Sequence, residues 1–229
     1  MTLQFFLDTA DIEAIKRAVE LGVISGVTTN PSLAARAGLE DYREAVKIIC
    51  DIVKGPVSIE VVGDGTVESL TAERMAEEAK ELSKLSPYVV VKIPITREGL
   101  KAMNMLKGSG VKINATLCFS PNQAMLAALA GATYVSPFIG RLDDRGHLGM
   151  EVVREIAQIF RYYGIKTKII ASSIRHPRHV VEAALAGADV ITIPPHVLDR
   201  MIEHPLTTMG LEAFMRDYRE KVLKRPAVR

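Results

Sequence analysis

The feature that most constrains this chain is an alternation. Eight short runs rich in β-branched and apolar residues are each followed by a longer segment of helical periodicity. The runs are Gln4–Asp8, Gly26–Thr29, Val57–Val62, Tyr88–Ile95, Lys112–Phe119, Tyr134–Ile139, Lys168–Ser172 and Val190–Ile193. Several are almost continuously apolar, which suits parallel strands covered on both faces. Eight strand–helix units within 229 residues predict an α/β fold, a compact (β/α)8 TIM barrel. An open doubly wound sheet is the competing architecture, but the first loop lacks the glycine fingerprint of a dinucleotide site. No Pro-, Gly- or Ser-rich linker divides the chain, so residues 1–229 read as one domain.

Local punctuation supports these units. Ser120-Pro121 sets a capping hydroxyl before a proline suited to the first helical position, and Asn122–Ala130 then runs as helix until Gly131. The same closing phrase, Ala-Leu-Ala-Gly-Ala, occurs at Ala128–Ala132 and Ala184–Ala188, with the glycine placed to end a helix in the left-handed conformation. After the eighth strand come Val197–Glu203 and an amphipathic Leu206–Leu223. Residues 205–229 exceed what a barrel needs and form an extra C-terminal helical arm and tail, either a cap across the barrel or an arm for oligomerisation.

Composition excludes several classes of function. A hydrophobic fraction of 48% supports a full core, and 29 basic against 27 acidic residues in mixed order leave no basic tract for nucleic acid. Cys50 and Cys118 have no paired spacing and read as reduced core residues, as expected of a cytoplasmic enzyme. The start, Met1 to Asp8, lacks the basic region of a signal peptide. No segment approaches the roughly 18 apolar residues of a membrane span. Gly63-Asp64-Gly65 and Gly108-Ser109-Gly110 read as loop turns, Met103 and Met105 as packing residues. His176 and His179 have no companions at zinc-ligand spacing, so surface or capping roles fit them better than metal.

Barrel chemistry sits at the carboxyl ends of the strands. Asp8 closes the first run, Thr28 and Asn30 the second; Glu60 lies in the third and Lys92 in the fourth; Asn114 and Thr116 lie in the fifth, Ser136 and Phe138 in the sixth; Ser173, Arg175 and Arg141 follow strands. Side chains alternate faces with period two, so Thr28/Asn30, Asn114/Thr116, Ser136/Phe138 and Ser173/Arg175 each share a face if the strands extend that far. Lys92 is the most informative residue. A lysine inside Val89–Pro94 is costly as an ammonium, burial lowers its pKa, and a neutral amine can attack a carbonyl. A strand-end lysine snorkelling to water is the other account, with Glu60 as its structural partner. Asp8 could cap the first helix, although Asp11 suits that role better. Arg141 and Arg175 with Ser173 could grip a phosphate through fork-like hydrogen bonds, or be ordinary surface arginines.

These residues sit in segments that together resemble the transaldolase family, in its short-chain branch. The segments are Phe6–Ala10, Gly26–Leu33, Ser58–Val61, Val91–Pro94, Asn114–Leu117, Val135–Arg141 and Ala171–Arg175. Thr28-Thr29-Asn30-Pro31-Ser32 and Ser136-Pro137-Phe138-Ile139-Gly140-Arg141 are the most specific. The resemblance implies that Lys92 forms a Schiff base with the dihydroxyacetone unit of a ketose phosphate. Asp8 would exchange the C4 hydroxyl proton, and Glu60 with Thr116 would activate the water of imine chemistry. Thr28, Asn30, Asn114, Ser136 and Phe138 would line the sugar site, and Arg141, Ser173 and Arg175 would bind phosphate. The implied reaction transfers dihydroxyacetone from sedoheptulose 7-phosphate to glyceraldehyde 3-phosphate, giving erythrose 4-phosphate and fructose 6-phosphate. No cofactor and no metal are implied, because the protonated imine is itself the electron sink. The same branch contains fructose-6-phosphate aldolases, which carry glutamine and tyrosine where this chain has Glu60 and Phe138. The resemblance also implies a homo-oligomer, a pentamer or decamer, with the C-terminal helix packed on a neighbour and a charged tail, Lys221 to Arg229, that is disordered.

Overall fold

The computed structural model describes residues 2–223. Its strands are β1 (Gln4–Asp8), β2 (Ile24–Thr28), β3 (Val57–Glu60), β4 (Val89–Pro94), β5 (Ile113–Cys118), β6 (Tyr134–Pro137), β7 (Lys168–Ala171) and β8 (Val190–Ile193). All are parallel, each pairs with its sequence neighbour, and β1 pairs with β8 to close the barrel. The expected (β/α)8 architecture is therefore the observed one. Most expected strands lose residues at their carboxyl ends. Phe138, for instance, leaves β6 after Pro137 and keeps only an isolated bridge to Ser172. Those trimmed residues become the loops that rim the site.

The helices are α1 (Ile12–Glu20), α2 (Pro31–Arg36), α3 (Tyr42–Val53), α4 (Ala72–Ser83), α5 (Arg97–Met105), α6 (Pro121–Leu129), α7 (Ile139–Asp143), α8 (Gly149–Tyr163), α9 (Pro177–Ala186), α10 (Pro195–Ile202) and α11 (Pro205–Tyr218). Asp11 caps α1 by accepting from the amides of Glu13 and Ala14, leaving Asp8 free of that role. Ser120 caps α6, with Pro121 in its first turn. Gly131 and Gly187 hold φ of 101° and 94°, as the repeated closing phrase requires.

Two populations of strand residues split by parity. Odd positions such as Leu7, Val27, Ile59, Val91, Ala115, Val135, Ile169 and Ile191 join the helices in one large core. Even positions face the barrel interior. At its amino-terminal end Phe6, Val90, Tyr134, Ile170 and Val190 form a separate apolar plug. Gly26 belongs there for a steric reason: a Cβ would lie 2.6 Å from the Phe6 ring. Parity fails once, at Leu117, whose φ of 55° marks an irregularity in the β5–β6 register and turns Cys118 into the outer core.

Beyond the barrel, α11 has no buried residue and passes into a π-helical turn, Arg219–Leu223. Leu206, Met209, Leu211, Phe214 and Tyr218 along it are at least half exposed. The expected disordered tail from Lys221 is corrected in part, since Lys221–Leu223 continue the helix, while residues 224–229 lie outside those described. Met105 is also corrected. It is 50% exposed, whereas Met103 is fully buried.

Candidate active site

The carboxyl ends of the strands enclose a cavity of about 390 Å³ lined by Asp8, Asn30, Arg36, Lys92, Phe138, Arg141, Ser173, Arg175 and His196, among others. A larger hollow of about 480 Å³ opens at the opposite end, near Arg161, Lys166 and Lys168. Among the described residues that line it the lysines, Lys166 and Lys168, are exposed, and the chemistry of a parallel barrel belongs to the other face.

Lys92 is 4% exposed, and its Nζ donates to the Thr29 carbonyl at 2.8 Å. Among the described residues no carboxylate lies within ion-pair distance of it. Burial pushes the lysine below its usual range; the negative fields of Asp8 and Glu60 offset this only in part. Both carboxyls are pushed upward by burial, with Lys92 pulling the other way in each case. Arg36 and Arg141 also act on Asp8, and Arg141 on Glu60. Register places Glu60 beside Lys92 on β3 and β4, and Lys92 beside Asn114 on β4 and β5. The strands thus deliver one amine and two carboxyls, each shifted upward by burial, to one locus.

Beneath the cavity the interior is hydrogen-bonded across the barrel. Thr28 Oγ1 donates to Asp8 at 2.7 Å and meets Thr192 Oγ1 at 2.5 Å. Ser136 Oγ donates to Asn114 Oδ1 at 2.7 Å, and Asn114 Nδ2 donates to Ser58 Oγ at 3.3 Å. Thr116 Oγ1 is buried with no hydrogen-bond partner among the described residues. Seven of the expected site residues therefore share the cavity wall: Asp8, Asn30, Lys92, Phe138, Arg141, Ser173 and Arg175. Thr28, Glu60, Asn114, Thr116 and Ser136 lie on the adjoining barrel interior. Thr28 is fully engaged with Asp8 and Thr192, so its geometry orients Asp8 rather than faces the cavity.

Three expectations about geometry change. Asn30 lies past the end of β2 and caps α2, its Oδ1 accepting from the Leu33 amide at 2.9 Å. Ser173 and Arg175 do not share a strand face, because β7 ends at Ala171 and Ser173 takes a left-handed φ of 61°. Both still reach the cavity from the loop. His176 caps α9 as expected, but His179 is buried rather than superficial, its Nε2 3.3 Å from Asp143. The arginines are held differently. Arg141 lies 5.0 Å above the Phe138 ring, whereas Arg175 pairs with Asp144 at 2.6 Å.

Residues given no role in the sequence reading complete the site. Ser58 and Thr192 sit on inward parity within apolar strands, the same signal that singles out Lys92. Arg36, His196, Thr29 and Tyr42 had no such signal, since their places depend on how loops and helices return over the barrel. Among the described residues there is no cluster of three or more His, Cys, Asp or Glu arranged to hold a metal. Nor is any helix long and apolar enough to cross a membrane.

With this geometry in hand, similarity to known proteins is informative. Residues 5–226 match the family model described as transaldolase/fructose-6-phosphate aldolase. A probable transaldolase 1 of Bacillus cereus is 55% identical over 216 residues, covering 94% of this chain and 97% of that one. A probable transaldolase of Caldicellulosiruptor saccharolyticus is 56% identical over 224 residues, covering 97% and 100%. Among solved structures, thiamine phosphate pyrophosphorylase from Pyrococcus furiosus superposes with a TM-score of 0.57 at 14% identity, over 83% of this chain and 85% of that one, a likeness of fold alone.

Proposed function

The chain belongs to the transaldolase/fructose-6-phosphate aldolase family and is a transaldolase, and we propose that its reaction runs through a Schiff base on Lys92. The observation that carries this reading is the buried amine, without an ion pair among the described residues, in a cavity lined by Asp8 and the three arginines Arg36, Arg141 and Arg175, with Glu60 beside it in register. An amine serving only structure would be neutralised by a carboxylate contact.

The donor is a ketose phosphate such as sedoheptulose 7-phosphate. Arg141, Ser173 and Arg175 grip its phosphate, which fixes the sugar chain along the cavity. Neutral Lys92 attacks the C2 ketone to give a carbinolamine. The C2 hydroxyl leaves as water, with Glu60 supplying its proton and Thr116 holding the water. The Asp8 carboxylate, oriented by Thr28, takes the C4 hydroxyl proton. The C3–C4 bond breaks, its electrons pass into the iminium, and an enamine and erythrose 4-phosphate result. Glyceraldehyde 3-phosphate then enters. The enamine carbon attacks its aldehyde, Asp8 returns the proton to the new C4 oxygen, and hydrolysis of the imine frees fructose 6-phosphate. Asn30, Asn114 and Ser136 hold the dihydroxyacetone hydroxyls. Phe138 has no acidic proton to give the enamine, which favours transfer over release of free dihydroxyacetone.

The reading extends to the setting. It is a cytoplasmic enzyme of sugar-phosphate metabolism, in the pentose phosphate pathway. It assembles as a homo-oligomer, a pentamer or decamer, through the exposed apolar side of α11, which finds no cover among the described residues.

The test is glyceraldehyde 3-phosphate release from fructose 6-phosphate, with and without erythrose 4-phosphate. Release that requires the acceptor supports transfer. Equal release without it, with free dihydroxyacetone accumulating, identifies a fructose-6-phosphate aldolase and overturns the roles given to Glu60 and Phe138.

A further inference from the structure

A hydrogen-bond chain outside the expected catalytic set runs through the side chain of Thr29, the residue whose carbonyl holds Lys92. Thr29 is fully buried between Thr28 and Asn30, and its carbonyl accepts from Lys92 Nζ at 2.8 Å. Its own hydroxyl lies 2.6 Å from the Ser58 carbonyl and 2.6 Å from the Tyr42 hydroxyl. The Tyr42 oxygen in turn lies 3.4 Å from the Glu60 amide.

The proton positions follow by elimination. A carbonyl only accepts, so the single Thr29 hydroxyl proton goes to Ser58. Tyr42 must then donate to Thr29, and its oxygen is left to accept from the Glu60 N–H. The order is Glu60 N–H to Tyr42 O–H to Thr29 O–H to the Ser58 carbonyl. Tyr42 can fill this place only while protonated, and burial holds its phenol in that form, with a pKa pushed up to about 12. The chain ties the first residue of α3 to the ends of β2 and β3, the strands that present the Lys92 acceptor and Glu60.

We propose that Tyr42 is a positioning residue for the Schiff-base reaction, acting through Thr29 to fix the carbonyl that orients the Lys92 nitrogen before and after imine formation. The proposal rests on the Schiff-base reading above. In the free enzyme the Thr29 carbonyl aims the amine, leaving its lone pair toward the cavity. Once the carbinolamine has lost water, the iminium nitrogen keeps a single hydrogen, and the same carbonyl is aligned to accept it. Tyr42 does not line the cavity, and its hydroxyl meets Thr29 and the Glu60 amide rather than the Lys92 nitrogen. The phosphate grip stands on the other side of the cavity, on the loops after β6 and β7, so turnover should suffer while substrate affinity does not.

The test uses Tyr42→Phe, Thr29→Val and their double variant, with Thr29→Ser as the conservative control that keeps the hydroxyl. Wild-type enzyme is first treated with borohydride in the presence of fructose 6-phosphate, and the adduct is located by mass analysis. Absence of an adduct on Lys92 overturns the Schiff-base reading and this proposal with it. Given the adduct, Tyr42→Phe is expected to slow trapping and lower kcat about tenfold, with KM for fructose 6-phosphate within twofold. Thr29→Val should do the same, the double variant should lose no more than either single variant, and Thr29→Ser should recover most of kcat. Three results would overturn the proposal: unchanged kcat in Tyr42→Phe, a loss confined to KM or to the fraction folded, or multiplying losses in the double variant.

Discussion

The two ends of the barrel interior follow one geometric rule and opposite chemistries. At the amino-terminal end the inward side chains Phe6, Val90, Tyr134, Ile170 and Val190 pack as a plug. At the carboxyl-terminal end Asp8, Thr28, Glu60, Lys92, Thr116, Ser136 and Thr192 leave a polar floor under a cavity. The plug stabilises by removing apolar surface from water. The floor bears buried groups whose desolvation costs stability and shifts every catalytic pKa away from its ordinary value. One closed sheet therefore separates the part that holds the fold from the part that carries the chemistry, and each should be breakable without the other.

The sharpest break is at Lys92. Lys92→Ala should abolish the borohydride adduct and lower kcat by on the order of 10⁴-fold or more, the scale of losing a nucleophile. Thermal unfolding should shift little or upward, because a desolvated amine is removed. A large fall in Tm would mean that the polar end bears structural load.

The converse break is Phe6→Ala. It should cost about 3–5 kcal/mol by denaturant unfolding, as a large aromatic lost from a core does. The kcat per folded molecule should stay near wild type. A smaller step in the same direction is Gly26→Ala, where the added methyl meets the Phe6 ring. It should cost about 1–3 kcal/mol, the usual range for overpacking. Phe6→Leu in the same chain should return part of that cost, which a double-mutant cycle would measure.

Electrostatics sharpens the polar end. Reaction needs Lys92 neutral, so kcat/KM should rise with pH through the lysine pKa, on a limb below the ordinary value of 10.5. The Glu60 charge raises that pKa, so Glu60→Gln should move the limb to lower pH, even as kcat falls. A limb that moves upward would reverse the sign of the Glu60–Lys92 coupling. The smallest effect is expected at the rim. Asp144→Asn releases Arg175 from its exposed pair and should lower KM for phosphorylated sugars by less than about fivefold, leaving unphosphorylated acceptors unaffected.

The eight strands, the caps at Asp11 and Ser120 and the glycine stops at Gly131 and Gly187 were legible in the sequence. Each is decided within a few residues, by period-two burial or by one orphan amide seeking an oxygen. The polar residues of the strand ends were legible for the same reason. Lys92, Glu60 and Asn114 stand out against apolar neighbours, and Ser58 and Thr192 could have been read by the same rule. Tyr42, Arg36 and His196 could not. They begin or end helices and look like any surface residue until the chain has folded back over the barrel.

What the sequence by itself determined is therefore the set of units and the inward face of each strand, because both follow from local periodicity. Only the tertiary structure decided which inward groups meet. Thr28 touches Thr192 across 164 residues, and Lys92 reaches Thr29 across 63. Such contacts exist only once β1 has paired with β8, since closing the sheet brings every strand end to one ring. The physical reason is range. Backbone hydrogen bonding and burial patterns act between near neighbours in sequence, whereas a buried amine, its acceptor carbonyl and its carboxyls become one site only through the closure of the whole barrel.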